Sequence, residues 1–166
     1  MLIKKRHPLS SKDIKGVLEY VGKTVPEMLS HIDRKKSIEL AELADGEKVY
    51  LQNGKPILIE HGGKMMPALS AAPEVLNSLP KAVVDMGAVP FVAKGADIMA
   101  PGIRTVSDGV KLGDVVLVVD EKYGKGLAIG ILIMEREEIL KKAKGKAIKN
   151  IHHVGDEIWN GMQSLL

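Results

Sequence analysis

The chain has 166 residues, enough for one ordinary domain or two small ones, and its 45% apolar and 27% charged residues are the balance of a globular protein, not of a disordered one. It contains no cysteine, which excludes disulfides and thiolate metal sites and leaves histidine and carboxylates as the ligands a metal would have to use. A net charge of +3 admits a polyanionic partner without requiring one, and no apolar run reaches the ~18–20 residues that span a bilayer.

The N-terminus is basic at Lys4, Lys5 and Arg6, but no long apolar segment with a small-residue cleavage site follows. No secretory signal is therefore expected, and the cytoplasm is the expected compartment. Ser11 is placed to cap a helix whose Ile14, Val17, Leu18 and Val21 fall at i, i+3, i+4 and i+7, with Gly22 as its stop. A second short helix begins near Thr24 with Pro26 in its first turn and turns Met28, Leu29 and Ile32 inward. From Ser37 to Glu60 the pattern changes to a three-stranded meander, punctuated by Asp45-Gly46 and by Asn53-Gly54, the stronger hairpin signal. Residues Pro67 to Leu79 read as a helix broken at Pro73.

Composition shifts near Pro80, because eleven of the seventeen glycines lie beyond it, the turn density of a small β-barrel. The expected organisation is a first domain over residues 1–80, a second over 81–159 and a tail at 160–166. In the second domain Ala82 to Val84 is a strand, Ala88 to Lys94 a short helix stopped by Gly95, and Ile98-Met99 the start of the next strand. The continuous apolar run Val115 to Val119 suits a strand buried on both faces, and Leu127 to Met134 is a further strand rich in β-branched residues. Glu135 to Lys144 reads as a helix ended by Gly145, and His153 to Trp159 as a closing strand.

The motifs of enzymes are missing: there is no nucleophile elbow, phosphate loop, HExxH or thiol nucleophile. The adjacent His152 and His153 would point to opposite faces of a strand and could not readily share a metal, so no metal or cofactor is expected. Asp85 and Asp97 flank the glycine-bounded helix, and an aspartate between a strand and a helix serves as a cap. The small residues Gly87, Ala88, Ala93, Gly95 and Ala96 fit either of two roles. They would let a phosphodiester backbone approach, with Lys94 and Arg104 supplying charge, or they would permit tight packing of helix on sheet. One Phe, one Trp and three Tyr do not make an aromatic stacking platform. Lys141, Lys142, Lys144, Lys146 and Lys149 form a basic cluster with no acidic residue within it, either a solvated face or part of a polyanion surface.

The stretch DMGAVPFVAKGADIMAPG at residues 85–102, with GDVVLVV at 113–119 and IKNIHHVGDEIW at 148–159, resembles a PUA domain, the RNA-binding pseudo-barrel of pseudouridine synthases and archaeosine transglycosylases. With GLAIGILIM at 126–134 and KGKAIKNIHHVGDEIW at 144–159, it is more specifically similar to the malignant T-cell-amplified sequence family of translation factors in its short archaeal form. The first half, with its basic start, amphipathic helix and NGKPILI hairpin, is similar to that family's pre-PUA domain. The resemblance implies an α+β fold, an N-terminal α+β pre-PUA domain followed by a PUA pseudo-β-barrel, and non-enzymatic RNA binding linked to translation. It implies tRNA or small-subunit rRNA as ligand, and the small ribosomal subunit or a protein partner at the N-terminal domain. It maps the RNA face onto Lys94, Gly95, Ala96, Asp97, Met99, Pro101, Gly102 and Arg104. Lys146, Lys149 and His152 are its expected second half, and Trp159 the expected barrel anchor. The alternative is an adaptor that brings a tRNA- or rRNA-modifying enzyme to its substrate.

Overall fold

The computed structural model describes residues 3–164, and these divide into two compact units: residues up to Ser78 together with those from Glu157 onward, and Leu79–Asp156. Met1, Leu2, Leu165 and Leu166 lie outside the described residues, so the last two positions of the expected tail do too. Among the described residues no helix is long and apolar enough to cross a membrane.

The first unit is built on an antiparallel sheet in the order β1 (Ile3–Pro8), β2 (Glu39–Leu43), β3 (Lys48–Gln52), β4 (Lys55–His61) and β5 (Lys64–Pro67). The expected three-stranded meander is its centre, and β1 and β5 extend it on either side. The β3–β4 hairpin closes on Asn53 and Gly54 with φ of 54° and 76°, the paired positive values that a two-residue type I′ turn needs. Strand β1 escapes sequence reading because Lys4, Lys5, Arg6 and His7 are all exposed, which leaves no alternation to see. Lysine on an edge strand also discourages unwanted strand pairing. Helix α1 (Ser11–Thr24) is capped by Ser10, one residue earlier than expected, whose Oγ accepts from the Asp13 amide at 3.1 Å. It runs two residues past Gly22 to a 3-10 turn at Pro26–His31. Only Pro73–Leu76 of the expected 67–79 segment is helical, as α2, since proline is tolerated only in a helix's first turn.

The second unit contains β6 (Lys81–Val84), α3 (Val89–Val92), β7 (Ile98–Met99), a 3-10 turn at Ala100–Gly102, β8 (Ile103–Val106), β9 (Val115–Asp120), β10 (Gly126–Leu132), α4 (Arg136–Leu140) and β11 (Lys146–His153). Its sheet runs β7-β11-β10-β9-β6-β8, with β6 and β9 the single parallel pair. A flat sheet of that order would hold its edges about 24 Å apart. Edge strands β7 and β8 are nevertheless joined by the three residues Ala100–Gly102, whose reach is about 10 Å. The sheet must therefore curl until its edges nearly meet, the pseudo-barrel the resemblance implied. Val84, Ile98, Ile103, Val116, Val118, Leu132 and Ile148 fill its core, and β9 is buried along almost its whole length, as its apolar run predicts.

Two expectations at the end of the chain are corrected. The helix α4 stops at Leu140 because Lys142 turns to φ 56° and its ammonium donates to the carbonyl of Ile103. The proposed closing strand at His153 to Trp159 is instead the end of β11, a turn with Gly155 at φ 87°, and helix α5 (Glu157–Ser164). That helix contacts β4 and groups with the first unit, so Trp159 does not sit within the barrel unit it was expected to anchor.

Candidate nucleic-acid interface

The glycine-rich stretch builds a cavity of about 300 Å³ in the second unit, lined by Asp85, Gly87, Ala88, Phe91, Val92, Asp97, Ile98, Met99, Pro101 and Gly102. Strand β6 delivers Asp85 to it, α3 forms one wall, and β7 with its 3-10 turn forms the other. The Asp85 amide donates to Gly102 O at 2.9 Å, and Asp85 Oδ1 accepts from the Ala88 amide at 2.8 Å; it closes the turn leading into α3 and does not cap the helix itself, whose N-cap is Ala88.

The two roles open to the small residues separate position by position. A Cβ on Gly95 would lie 2.9 Å from His153 Nε2, and Gly95 has φ +91°; its amide closes α3 on Val92 O at 3.0 Å. A Cβ on Gly102 would meet that of Ala88 at 3.2 Å. These two glycines serve packing. Ala93 and Ala96, by contrast, are exposed and leave the turn after α3 open to a ligand.

What holds that turn in place is Asn150 on β11. Its Nδ2 donates to Val92 O at 3.2 Å and Ala96 O at 3.1 Å, and its amide donates to Asp97 Oδ1 at 2.9 Å. Asp97 Oδ2 in turn lies 3.3 Å from Lys146 Nζ. Strand pairing puts Lys146 opposite Met99, so Lys146 comes beside the glycine-rich stretch, whereas Lys149 pairs with Ile131 of β10. Lys94, Lys146 and Lys149 are exposed. Arg104 is also exposed, and its Nε donates to Glu121 Oε2 at 2.8 Å, a bond that raises the guanidinium pKa further.

His152 is the correction within the site. It is 0% exposed, so it cannot touch RNA. Its Nδ1 lies 2.8 Å from Asp156 Oδ2, which also accepts from the His153 amide at 2.9 Å. The pair latches the turn at the end of β11, which explains a histidine and an aspartate four residues apart.

The rim carries one residue that sequence reading missed. Phe91, the chain's single phenylalanine, is 66% exposed, beside the expected Met99, which is 45% exposed. A lone Phe in an apolar helix reads as core, and only the cavity beside it shows otherwise. Exposed apolar side chains around a concave site offer a stacking surface flanked by cations, without amounting to a multi-aromatic platform. Among the described residues no three His, Asp or Glu side chains gather as a metal site.

The PUA domain family matches residues 80–154, and a domain of unknown function, DUF1947, matches residues 5–72. An uncharacterized protein of Methanocaldococcus jannaschii is 42% identical over 166 residues, covering 96% of this chain and 98% of its own. Translation machinery-associated protein 20 of Saccharomyces cerevisiae is 34% identical over 135 residues, covering 78% and 75%. The malignant T-cell-amplified sequence 1 homolog of Drosophila melanogaster is 32% identical over 164 residues, covering 91% and 88%. Among solved structures, a hypothetical protein of Pyrococcus horikoshii superposes with a TM-score of 0.76 at 37% identity, over 94% of this chain and 98% of the other. A conserved PUA domain protein of Thermoplasma acidophilum gives 0.67 at 28% identity, over 95% and 99%. With relatives of this identity matching along both halves, the chain belongs to the malignant T-cell-amplified sequence family, a pre-PUA domain joined to a PUA domain.

Proposed function

We propose that this protein is a non-enzymatic RNA-binding factor of the translation apparatus, holding the end of a structured RNA, tRNA or small-subunit rRNA, at the cavity between α3 and β7. The observation that carries the reading is the cavity itself. It is concave, with Gly87, Ala88 and Gly102 in its lining and exposed Phe91 and Met99 at its rim, and we take the exposed Lys94, Lys146, Lys149 and Arg104 as the cations that serve it. Cations beside a backbone-accessible wall suit phosphates, and an exposed ring suits an unpaired base. Gly95, Ala96, Asp97, Pro101 and Gly102 shape the surface. The printed names of the relatives, one of them a translation machinery-associated protein, support the setting, with the first unit engaging the small ribosomal subunit or a protein partner.

The reading is tested by binding of labelled tRNA across a salt series, together with sedimentation on ribosomal subunits. Each lysine or arginine that neutralises a phosphate adds about 0.7–0.9 to the slope of log affinity on log salt. Lys94→Ala with Arg104→Ala therefore flattens the slope by about two such steps, uniformly across RNA sequences. Salt-independent binding, or binding indifferent to both substitutions, sinks the electrostatic contacts. Recovery of a modification enzyme in place of ribosomal subunits from extract favours the adaptor reading instead.

A further inference from the structure

The turn between β9 and β10 is built in a way that packing does not explain. Tyr123 at its tip is 73% exposed, and Lys122 and Lys125 beside it are exposed as well, with no ion pair to either among the described residues. The Lys122 ammonium sits 5.1 Å from the centre of the Tyr123 ring, which leaves most of the phenol open.

An exposed tip of this composition would ordinarily be loose, yet this one is fixed from within. The carboxylate of Asp120, itself 4% exposed, accepts the amides of Lys122 at 2.9 Å, of Tyr123 and of Lys125 at 3.0 Å. Gly124 supplies the φ of +65° that closes the loop. These bonds pull the Asp120 pKa below the ordinary carboxylate value, the Tyr123 amide most of all. The ring and the two ammonium groups are thus presented in one arrangement, and preorganised groups lose less entropy on binding.

The tip is also tied to the cavity. The amide of Glu121 donates to Val84 O at 3.0 Å, one residue before Asp85 on the cavity wall. Glu121 pairs with Arg104, so the carboxylates of Asp120 and Glu121 are set against Lys122, Lys125 and Arg104, and the group keeps a net positive charge. We infer that the β9–β10 tip is a second RNA contact, at which a single strand leaving the cavity crosses Arg104, lays a base on Tyr123 and has its phosphates met by Lys122 and Lys125. This rests on the cavity being an RNA site, and it specifies the ligand: an unpaired extension longer than the cavity can hold.

The test uses the full chain and labelled stem–loop RNAs whose single-stranded 3′ extension is either short, confined to the cavity, or longer by a few nucleotides. Tyr123→Ala weakens the long-extension RNA roughly five- to hundred-fold, as loss of one stacked base does, leaves the short one unchanged, and is rescued by Tyr123→Phe. Lys122→Ala with Lys125→Ala lowers the salt slope for the long RNA alone by about 1.4, two single-strand phosphates. An iodouridine placed in the extension crosslinks to Tyr123. Phe91→Glu, at the cavity, weakens both RNAs. If the tip variants bind both RNAs as the parent does while Phe91→Glu fails, the tip contact is overturned and the cavity reading stands. If Phe91→Glu binds normally, the cavity reading falls and the strand path falls with it. A parent protein that binds neither RNA overturns both.

Discussion

Phe91 and Asp120 are opposite kinds of residue, one exposed where an apolar side chain gains nothing from folding, the other a carboxylate buried by its own turn. Because Phe91 keeps two-thirds of its surface in water, Phe91→Ala should move thermal stability by no more than about 0.5 kcal/mol. The same change should weaken RNA binding roughly five- to hundred-fold if the ring stacks on a base; melting and binding measured on one preparation separate the two. Asp120 predicts a dependence on pH instead. Its folded pKa is lowered from 3.8, first by the Tyr123 amide and then by those of Lys125 and Lys122. A depressed carboxylate contributes stability that is present above its unfolded pKa and lost as pH falls through the folded one. The contribution should therefore begin to fall near pH 4 and be lost only as the pH drops further, through the lowered folded pKa. In Asp120→Asn an NH₂ replaces one acceptor oxygen and faces a backbone donor, so the variant should be less stable at neutral pH and show a shallower acid limb in denaturant melts between neutral and strongly acidic buffer.

β10 and β11 pair inside the sheet that curls into the barrel, and Gly130 sets how closely the two strands run. A Cβ there would lie 2.4 Å from Ile148 Cγ2 and 2.6 Å from Lys149 O, at the register shift between Ile129 and Gly130. A methyl side chain can be displaced, but a backbone carbonyl in a ladder cannot move without breaking its pairing. Gly130→Ala should thus cost about 1–3 kcal/mol, seen as faster amide exchange in β10 and β11. This glycine illustrates what the residue pattern conveys and what it does not. The Asn53-Gly54 hairpin, the β9 run and the glycine punctuation around α3 are legible because their causes are local: a φ requirement, a period, a cap. Gly130 sits in an apolar run with no turn signal, since its reason is a partner strand eighteen residues away in the chain. Asn150 escapes for the same reason, as it bonds Val92 across 58 positions, and so does Phe91, whose exposure depends on a cavity that several elements make together. His152 was misplaced because a histidine in a basic stretch reads as a ligand group until burial and Asp156 show it to be a latch.

At the scale of the molecule, the division into two units makes a claim about cooperativity that α5 can test. The chain leaves the first unit at Ser78, builds the whole barrel unit, and returns at Glu157 to add a final helix that contacts β4. Ile158 on that helix is 4% exposed, so truncating it removes a buried side chain from the first unit although its neighbours in sequence belong to the second. Ile158→Ala should cost about 2–5 kcal/mol, and the loss should fall where the side chain packs, not where the sequence adjoins. Hydrogen exchange should rise in β3 and β4 and stay at the parent rate in β9 and β10, because amide opening follows the local cooperative unit. RNA binding at the cavity, which draws every residue of its wall from Asp85–Gly102, should survive at temperatures where the variant's first unit has melted. Association with ribosomal subunits, if the first unit carries it, should be lost at those same temperatures. A variant whose two units melt together would show instead that the barrel depends on the returning helix, and the functions assigned to the two halves would then not be separable by temperature.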